Sequence, residues 1–325
     1  MALDPATTAF VARAVASGRK RLHELTPARA REQSEKGASA LDRGPEVDSV
    51  SEVFADDVLL RIYRPAEPTG VVVYFHGGGW VVGSLDGYDA VCRTLAHRSG
   101  YCVVSVDYRL APENPFPAAV DDAWSATTWV NEHRTELACA GAPLVVAGDS
   151  AGGNLAAVVA QRAARSGPTI ALQVLIYPVT DADFDRPSYL SEDNQVLLDR
   201  TSMMWCWDHY LPDPAERISP DAAPLRRPDL AGVPPALVLL AEHDVLRDEG
   251  HAYVDKLREQ RVPADEIVVD GQTHGFFQFP GLLPGAAVGM DHVVAAISRV
   301  RTRDSRPERP RHRSPDTSRH HRRRA

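Results

Sequence analysis

The chain predicts an α/β domain, a mostly parallel sheet covered by helices on both faces, and three features of the sequence carry that prediction. Six apolar runs, at 71–75, 102–106, 144–147, 170–176, 237–241 and 267–269, alternate with longer helix-compatible segments. Runs without polar alternation belong to strands buried on both faces, as in parallel sheets. The pentad Gly148-Asp149-Ser150-Ala151-Gly152 follows one such run and precedes a helix-like stretch, which marks a strand-to-helix turn. The 325 residues, 44% of them hydrophobic, suffice for a large core, and the order of the motifs favours one domain over two.

Two segments stand outside the alternation: residues 1–45, which hold charge-rich, helix-like stretches, and residues 180–225. The central domain spans 46–300, with residues of about 180–225 as an insertion within it. Residues 47–54 and 58–63 alternate apolar with polar and are joined at Asp56-Asp57, so they read as an antiparallel hairpin at the sheet edge. The run at 71–75 leads into His76-Gly77-Gly78-Gly79-Trp80. Glycines there let the backbone turn its N–H groups inward, so Gly78 and Gly79 are assigned as donors to a developing oxyanion. Gly77 shapes the turn and His76 anchors the loop.

The run at 144–147 leads into the pentad. Its two glycines remove bulk where strand, turn and helix approach closely, and Ser150 is left exposed above the sheet as a nucleophile. The Ala151 N–H lies at the start of the next helix, where negative charge is held. A serine hydroxyl needs a base, and the base needs an orienting acid, expected in the order serine, acid, histidine. The run at 237–241 ends in Glu242-His243-Asp244, and a strand at 265–269 is followed by the turn-rich Asp270-Gly271-Gln272-Thr273-His274-Gly275. Asp244 and His274 thus fall beyond strand carboxyl ends, where open α/β sheets place their chemistry. Glu242 is the rival acid. Asp248 and Glu249 suit the first turn of the next helix. His243 is adjacent to the acid and poorly placed to face it; His97, His133, His251 and His292 sit in helix-like stretches without catalytic context.

The segments His76-Gly77-Gly78-Gly79-Trp80, Tyr108-Arg109-Leu110-Ala111-Pro112-Glu113, Gly148-Asp149-Ser150-Ala151-Gly152-Gly153-Asn154, Asp244-Val245-Leu246-Arg247-Asp248-Glu249 and His274-Gly275-Phe276 come in one order. Together they resemble the hormone-sensitive-lipase-like esterases of the α/β-hydrolase superfamily, over roughly residues 50–300. The resemblance implies Ser150 as nucleophile, Asp244 as acid, His274 as base, and an oxyanion hole from Gly78, Gly79 and Ala151. It also implies that residues 1–45 and 180–225 form a helical cap. Val245 departs from the proline usual after the acid, a change expected to alter loop stiffness rather than chemistry. Trp80, Trp205, Trp207 and Met204 are the expected walls of an apolar acyl or aryl pocket.

The expected activity is hydrolysis of small, short- to medium-chain acyl esters through an acyl-enzyme. The alternatives are an amidase or N- or O-deacetylase acting on a small metabolite, and a non-catalytic small-molecule receptor. Because a histidine base must be neutral, activity is expected to fall below a pH of about 6 to 7. No cofactor or metal is expected: phosphate-loop and dinucleotide spacings are absent from the sequence, and Gly77-Gly78-Gly79 fits neither.

Residues 301–325 carry ten arginines against three acids, while residues 1–300 carry 26 basic and 41 acidic residues. This Arg- and Pro-rich tail lacks hydrophobic periodicity and is expected to be disordered. Arginine outnumbers lysine 33 to 3 along the chain, so compositional bias accounts for the tail without a nucleic-acid partner. The four cysteines, Cys92, Cys102, Cys139 and Cys206, have no C-x-x-C spacing and are expected to be buried free thiols. With no signal-like or membrane-length apolar run, the expected location is cytoplasmic, without a membrane span. The expected partner is a small ester, and a homodimer is left open.

Overall fold

The computed structural model of the protein describes residues 2–38 and 42–304. Two helices, α1 (Pro5–Ala16) and α2 (Pro27–Ala38), come first. The sheet then begins with β1 (Ser49–Ala55), β2 (Val58–Arg64) and β3 (Val71–Phe75), followed by α3 (Asp89–Ser99) and β4 (Cys102–Asp107). Next come α4 (Ala118–Glu132), α5 (Arg134–Leu137), β5 (Leu144–Asp149), α6 (Ala151–Ser166) and β6 (Leu172–Ile176). Short α7 (Pro187–Leu190) and α8 (Arg200–Tyr210) precede β7 (Ala236–His243), α9 (Arg247–Glu259), β8 (Ala264–Thr273) and α10 (Pro284–Asp304).

The eight strands form one sheet in the order β1-β2-β4-β3-β5-β6-β7-β8. The β1/β2 hairpin and the β2/β4 pair are antiparallel, and every pair from β4 to β8 is parallel. All five residues of β3 are buried because alternate side chains enter two different cores. Val71, Val73 and Phe75 pack with Val120, Leu155 and Leu257 of α4, α6 and α9. Val72 and Tyr74 pack with Leu95 of α3 and Val293 of α10. This two-sided burial is why the central runs lack polar alternation, and each such side chain contributes about 1.5–3 kcal/mol by area removed from water. Strand β1 differs from the expected alternation: as an edge strand it leaves Val50 and Phe54 exposed, and only Ala55 is buried.

The last strand also runs further than the turn-rich stretch at 270–275 suggested. The pairing of β7 with β8 shifts between Ala241 and His243, and Gly271 takes the left-handed conformation, φ +65°. An irregularity of this kind takes up extra residues without ending a strand, so pairing resumes at His243 with Thr273. His274 is therefore delivered by the strand end itself. Helix α10 continues through Asp304, past the expected start of the tail at Arg301; the rest of that tail lies outside the described residues. No helix among the described residues is long and apolar enough to cross a membrane.

Candidate active site

Ser150 joins β5 to α6 with φ +57° and ψ −119°, a conformation that costs an L-residue roughly 1–3 kcal/mol. Its neighbours hold it there. Its N–H donates to the Ile176 carbonyl at 2.8 Å, and its carbonyl accepts from Asn154 N–H at 3.0 Å and Val179 N–H at 3.2 Å. A Cβ on Gly152 would collide with the carbonyl oxygens of Phe75 and His76, so only glycine lets α6 start this close to β3.

His274 lies between the serine and an acid. Its Nε2 is 3.0 Å from Ser150 Oγ and its Nδ1 is 2.7 Å from Asp244 Oδ2. The other carboxylate oxygen, Asp244 Oδ1, accepts the Leu246 N–H at 2.9 Å in the turn before α9, which fixes the acid's orientation. The imidazole also rests against the Tyr177 ring, 4.6 Å between centroids. The Asp244 side chain is wholly buried and that of His274 is 12% exposed, so the relay is dry at the acid and open toward the serine.

The rival groups are engaged elsewhere. Glu242 Oε2 accepts the Gly271 N–H at 2.7 Å, stabilising the irregularity in β8. His243 is buried, 3.8 Å from Glu242. His133 Nδ1 bonds the Trp129 carbonyl at 2.8 Å, and His251 pairs with Glu266. Glu249 lies in the first turn of α9 as expected, but its side chain turns inward, accepting the Thr180 N–H at 2.7 Å; burial pushes its carboxyl well above the usual range.

The glycine loop faces the same point. Gly78 and Gly79 adopt φ +120° and +60°, and the Gly78 carbonyl accepts from Val81 and Val82 N–H at 3.1 and 3.0 Å. Among the described residues no acceptor is recorded for the N–H of Gly78 or Gly79, and both line the cavity above Ser150. Ala151 is the first residue of α6, where an N–H has no acceptor within the helix. His76 is fully buried: its Nδ1 is 2.8 Å from the Gly77 carbonyl and its ring stacks on Tyr108 at 4.3 Å. Burial pushes its pKa down to about 4, so it is a neutral anchor at neutral pH.

Sequence reasoning missed one residue at the centre of this arrangement. Asp149 accepts from Tyr74 Oη at 2.9 Å, Tyr88 Oη at 2.9 Å, Gly77 N–H at 3.0 Å and Gln278 Nε2 at 3.3 Å. The available signal was an acidic residue closing an otherwise apolar strand. A carboxylate there has to be paired to be buried.

The cavity over Ser150 and His274 has a volume of about 190 Å³ and is roofed by Phe10 and Ala14 of α1, Gln33 and Gly37 of α2, and Cys206 of α8. The expected aromatic wall is corrected here: Trp80, Trp205, Trp207 and Met204 are not among the cavity's lining residues. Trp80 and Trp207 are fully buried in the core, where Trp80 stacks on Tyr210 at 4.1 Å and meets Trp207 edge-on at 5.0 Å. Trp205 packs against the outside of that core and edge-on to His209. The reason is helical phase. Cys206 is the α8 residue aimed at the loop, so close that a Cβ on Gly79 would strike its sulfur, and its neighbours Trp205 and Trp207 point about 100° away on either side.

Residues 72–278 match the family described as alpha/beta hydrolase fold. The chain belongs to the hormone-sensitive-lipase-like branch of the alpha/beta hydrolases. It is 36% identical to the ethyl acetate hydrolase of Pseudomonas putida over 315 residues, which are 91% of this chain and 99% of that enzyme. It is 40% identical to carboxylesterase NlhH of Mycobacterium tuberculosis over 251 residues, 75% of this chain and 79% of that protein. Among solved structures, the hyperthermophilic esterase of Pyrobaculum calidifontis superposes with a TM-score of 0.86 at 38% identity, covering 92% of this alpha/beta hydrolase and 99% of that chain.

Proposed function

We propose that the protein is a serine carboxylesterase that hydrolyses small esters of short- to medium-chain acids through an acyl-enzyme. The observation that carries this reading is His274, bonded to Ser150 Oγ on one side and Asp244 on the other, at the floor of a cavity lined by Gly78 and Gly79. The relatives named as ester hydrolases, at 36% and 40% identity, support the same class.

In this mechanism His274 Nε2 takes the Ser150 proton as Oγ attacks the ester carbonyl. Asp244 holds the ring in the tautomer that leaves Nε2 free to accept, and offsets the imidazolium charge that develops. The N–H groups of Gly78, Gly79 and Ala151 receive the oxyanion; loss of one such donor costs roughly 3 kcal/mol of transition-state stabilisation. His274 then protonates the leaving alcohol, the acyl group stays on Ser150, and a water deprotonated by His274 releases the acid. The small cavity supports short acyl chains over long ones. A cytoplasmic location is part of the reading, supported by four free cysteines, of which Cys139 is exposed and not buried as the sequence suggested, and cell fractionation tests it.

The deciding experiment exposes the protein to 4-nitrophenyl butyrate, a matched anilide, and a fluorophosphonate. Ester turnover with covalent labelling, both lost in Ser150→Ala, is the expected result. Tight binding without turnover selects a receptor, and faster cleavage of the anilide selects an amidase.

A further inference from the structure

The turn between α1 and α2 presents three consecutive cations, Arg19, Lys20 and Arg21, to the cavity that holds Ser150, and among the described residues no aspartate or glutamate lines it. The three are not equivalent. Arg21 pairs with Asp199, the residue that caps α8, so its charge is matched. Arg31 of α2 is likewise matched by Glu113 at 2.6 Å. Among the described residues, no ion pair or side-chain hydrogen bond is recorded for Arg19 or Lys20, and both are exposed.

The backbone that carries these two charges is nonetheless held in place. Lys20 N–H donates to Gln33 Oε1 at 2.9 Å, and Gln33 Nε2 donates back to the Lys20 carbonyl at 2.9 Å, clamping the turn to α2. Arg19 lies over Gly37, its Nη1 at ordinary contact distance, 3.6 Å, from where a Cβ would stand, which places the guanidinium beside the cavity. Two cations on one wall, unmatched among the described residues, contrast with residues 1–300 as a whole, where acids outnumber bases 41 to 26. Ordering a charged turn in advance reduces the entropy lost when a ligand binds it. An arginine fork and a lysine point charge suit a carboxylate.

We propose that this site takes esters bearing a carboxylate, which Arg19 and Lys20 bind while the ester carbonyl lies at Ser150. The proposal rests on the esterase reading above and narrows its substrate class to acidic esters, such as half-esters of short dicarboxylic acids. A cavity of about 190 Å³ suits a short ester with one such group.

The test uses two matched pairs, with rates corrected for reactivity toward hydroxide. On the acyl side, mono-4-nitrophenyl succinate is compared with 4-nitrophenyl butyrate; on the alcohol side, 4-acetoxybenzoate is compared with phenyl acetate. In at least one pair, kcat/KM at low salt is expected to favour the charged member about tenfold, with the advantage shrinking as salt screens the cations. The double variant Arg19→Gln/Lys20→Gln is expected to lose that preference, whereas Arg13→Gln, an exposed change on α1 outside the cavity, keeps it. Equal or better hydrolysis of the neutral member in both pairs overturns the proposal and leaves the esterase reading standing, as does a preference that survives the double variant. Hydrolysis of none of the four overturns both.

Discussion

The backbone N–H of Gly77 donates to Asp149 Oδ1 at 3.0 Å, tying the glycine loop after β3 to the residue that immediately precedes Ser150. Tyr88 strengthens the tie, because its Oη both accepts from Gly77 N–H at 3.0 Å and donates to Asp149 at 2.9 Å. In the proposed mechanism the oxyanion donors act through fixed placement relative to Ser150, and this buried carboxylate sets that placement from below. Burial pushes the Asp149 carboxyl above its usual range, while hydrogen bonds from Tyr74, Tyr88 and Gln278 pull the other way.

Asp149→Asn puts an NH2 group where an oxygen accepts, so at least one buried donor loses its partner at a cost of about 1–3 kcal/mol. The effect falls on the spacing of Gly78 and Gly79 from Ser150. We expect kcat to drop about 10- to 100-fold with KM little changed, and the melting temperature to fall by about 2–4 °C per kcal/mol lost. Steady-state kinetics and a thermal melt on one preparation check it; an unaltered kcat would show that the loop is held by other means.

The two acids at the end of β7 separate cleanly. Asp244→Asn leaves His274 in its cavity but favours the wrong tautomer, and kcat is expected to fall about 10⁴-fold. Glu242→Gln retains a carbonyl oxygen for the Gly271 N–H and is expected to change kcat less than about threefold, under ~0.7 kcal/mol. Losses of equal size in the two variants would remove the distinction drawn from the geometry.

His76 makes folding stability depend on acid. Its folded pKa, pushed down by burial to about 4 from the ordinary 6.5, means that the unfolded chain binds the extra proton first as pH falls. Its contribution is therefore fully present above pH 6.5 and is lost progressively toward pH 4, by about 3 kcal/mol in all. Urea unfolding of the parent and His76→Asn at pH 7, 5.5 and 4 checks this. The variant is less stable at pH 7, and the gap is expected to close toward pH 4; a gap that stays constant would place the histidine's effect in packing alone.

The parallel strands and the serine turn were legible because their signals are local: unbroken apolar runs, and glycines where backbones must nearly touch. Asp244 and His274 were legible because strand ends locate them, although 30 residues separate them in the chain. The roof was not. Whether Cys206 or Trp207 faces the cavity depends on the rotation of α8, and the stretch around it is apolar on more than one side, so periodicity could not choose. Asp149 was hidden for another reason: its partners Tyr74, Tyr88 and Gln278 come from three other segments, and a single acid in a motif does not disclose who donates to it.

The N-terminal segment and α8 meet at Asp199. Its Oδ1 accepts the Ser202 N–H at 2.6 Å as the N-cap of α8, and its other oxygen meets Arg21 from the N-terminal segment, while His23 Nδ1 lies 3.0 Å from Ser202 Oγ. Burial opposes its charge, yet the bonds from Arg21 and Ser202 hold its carboxyl below the ordinary value. A depressed carboxyl stabilises the fold above its unfolded pKa and loses that contribution as pH falls through the folded value. Asp199→Ala is therefore expected to cost about 1–2 kcal/mol at pH 7 and progressively less below pH 3.8, and to lower kcat/KM because α8 carries Cys206 against Gly79. Arg21→Gln removes only a half-exposed charge, 45% accessible, and is expected to cost less than about 1 kcal/mol. Urea titrations at pH 7 and 3.5 compare them. Equal losses for the two would locate the stabilisation in the ion pair, and a larger loss for Asp199→Ala locates it in the helix cap.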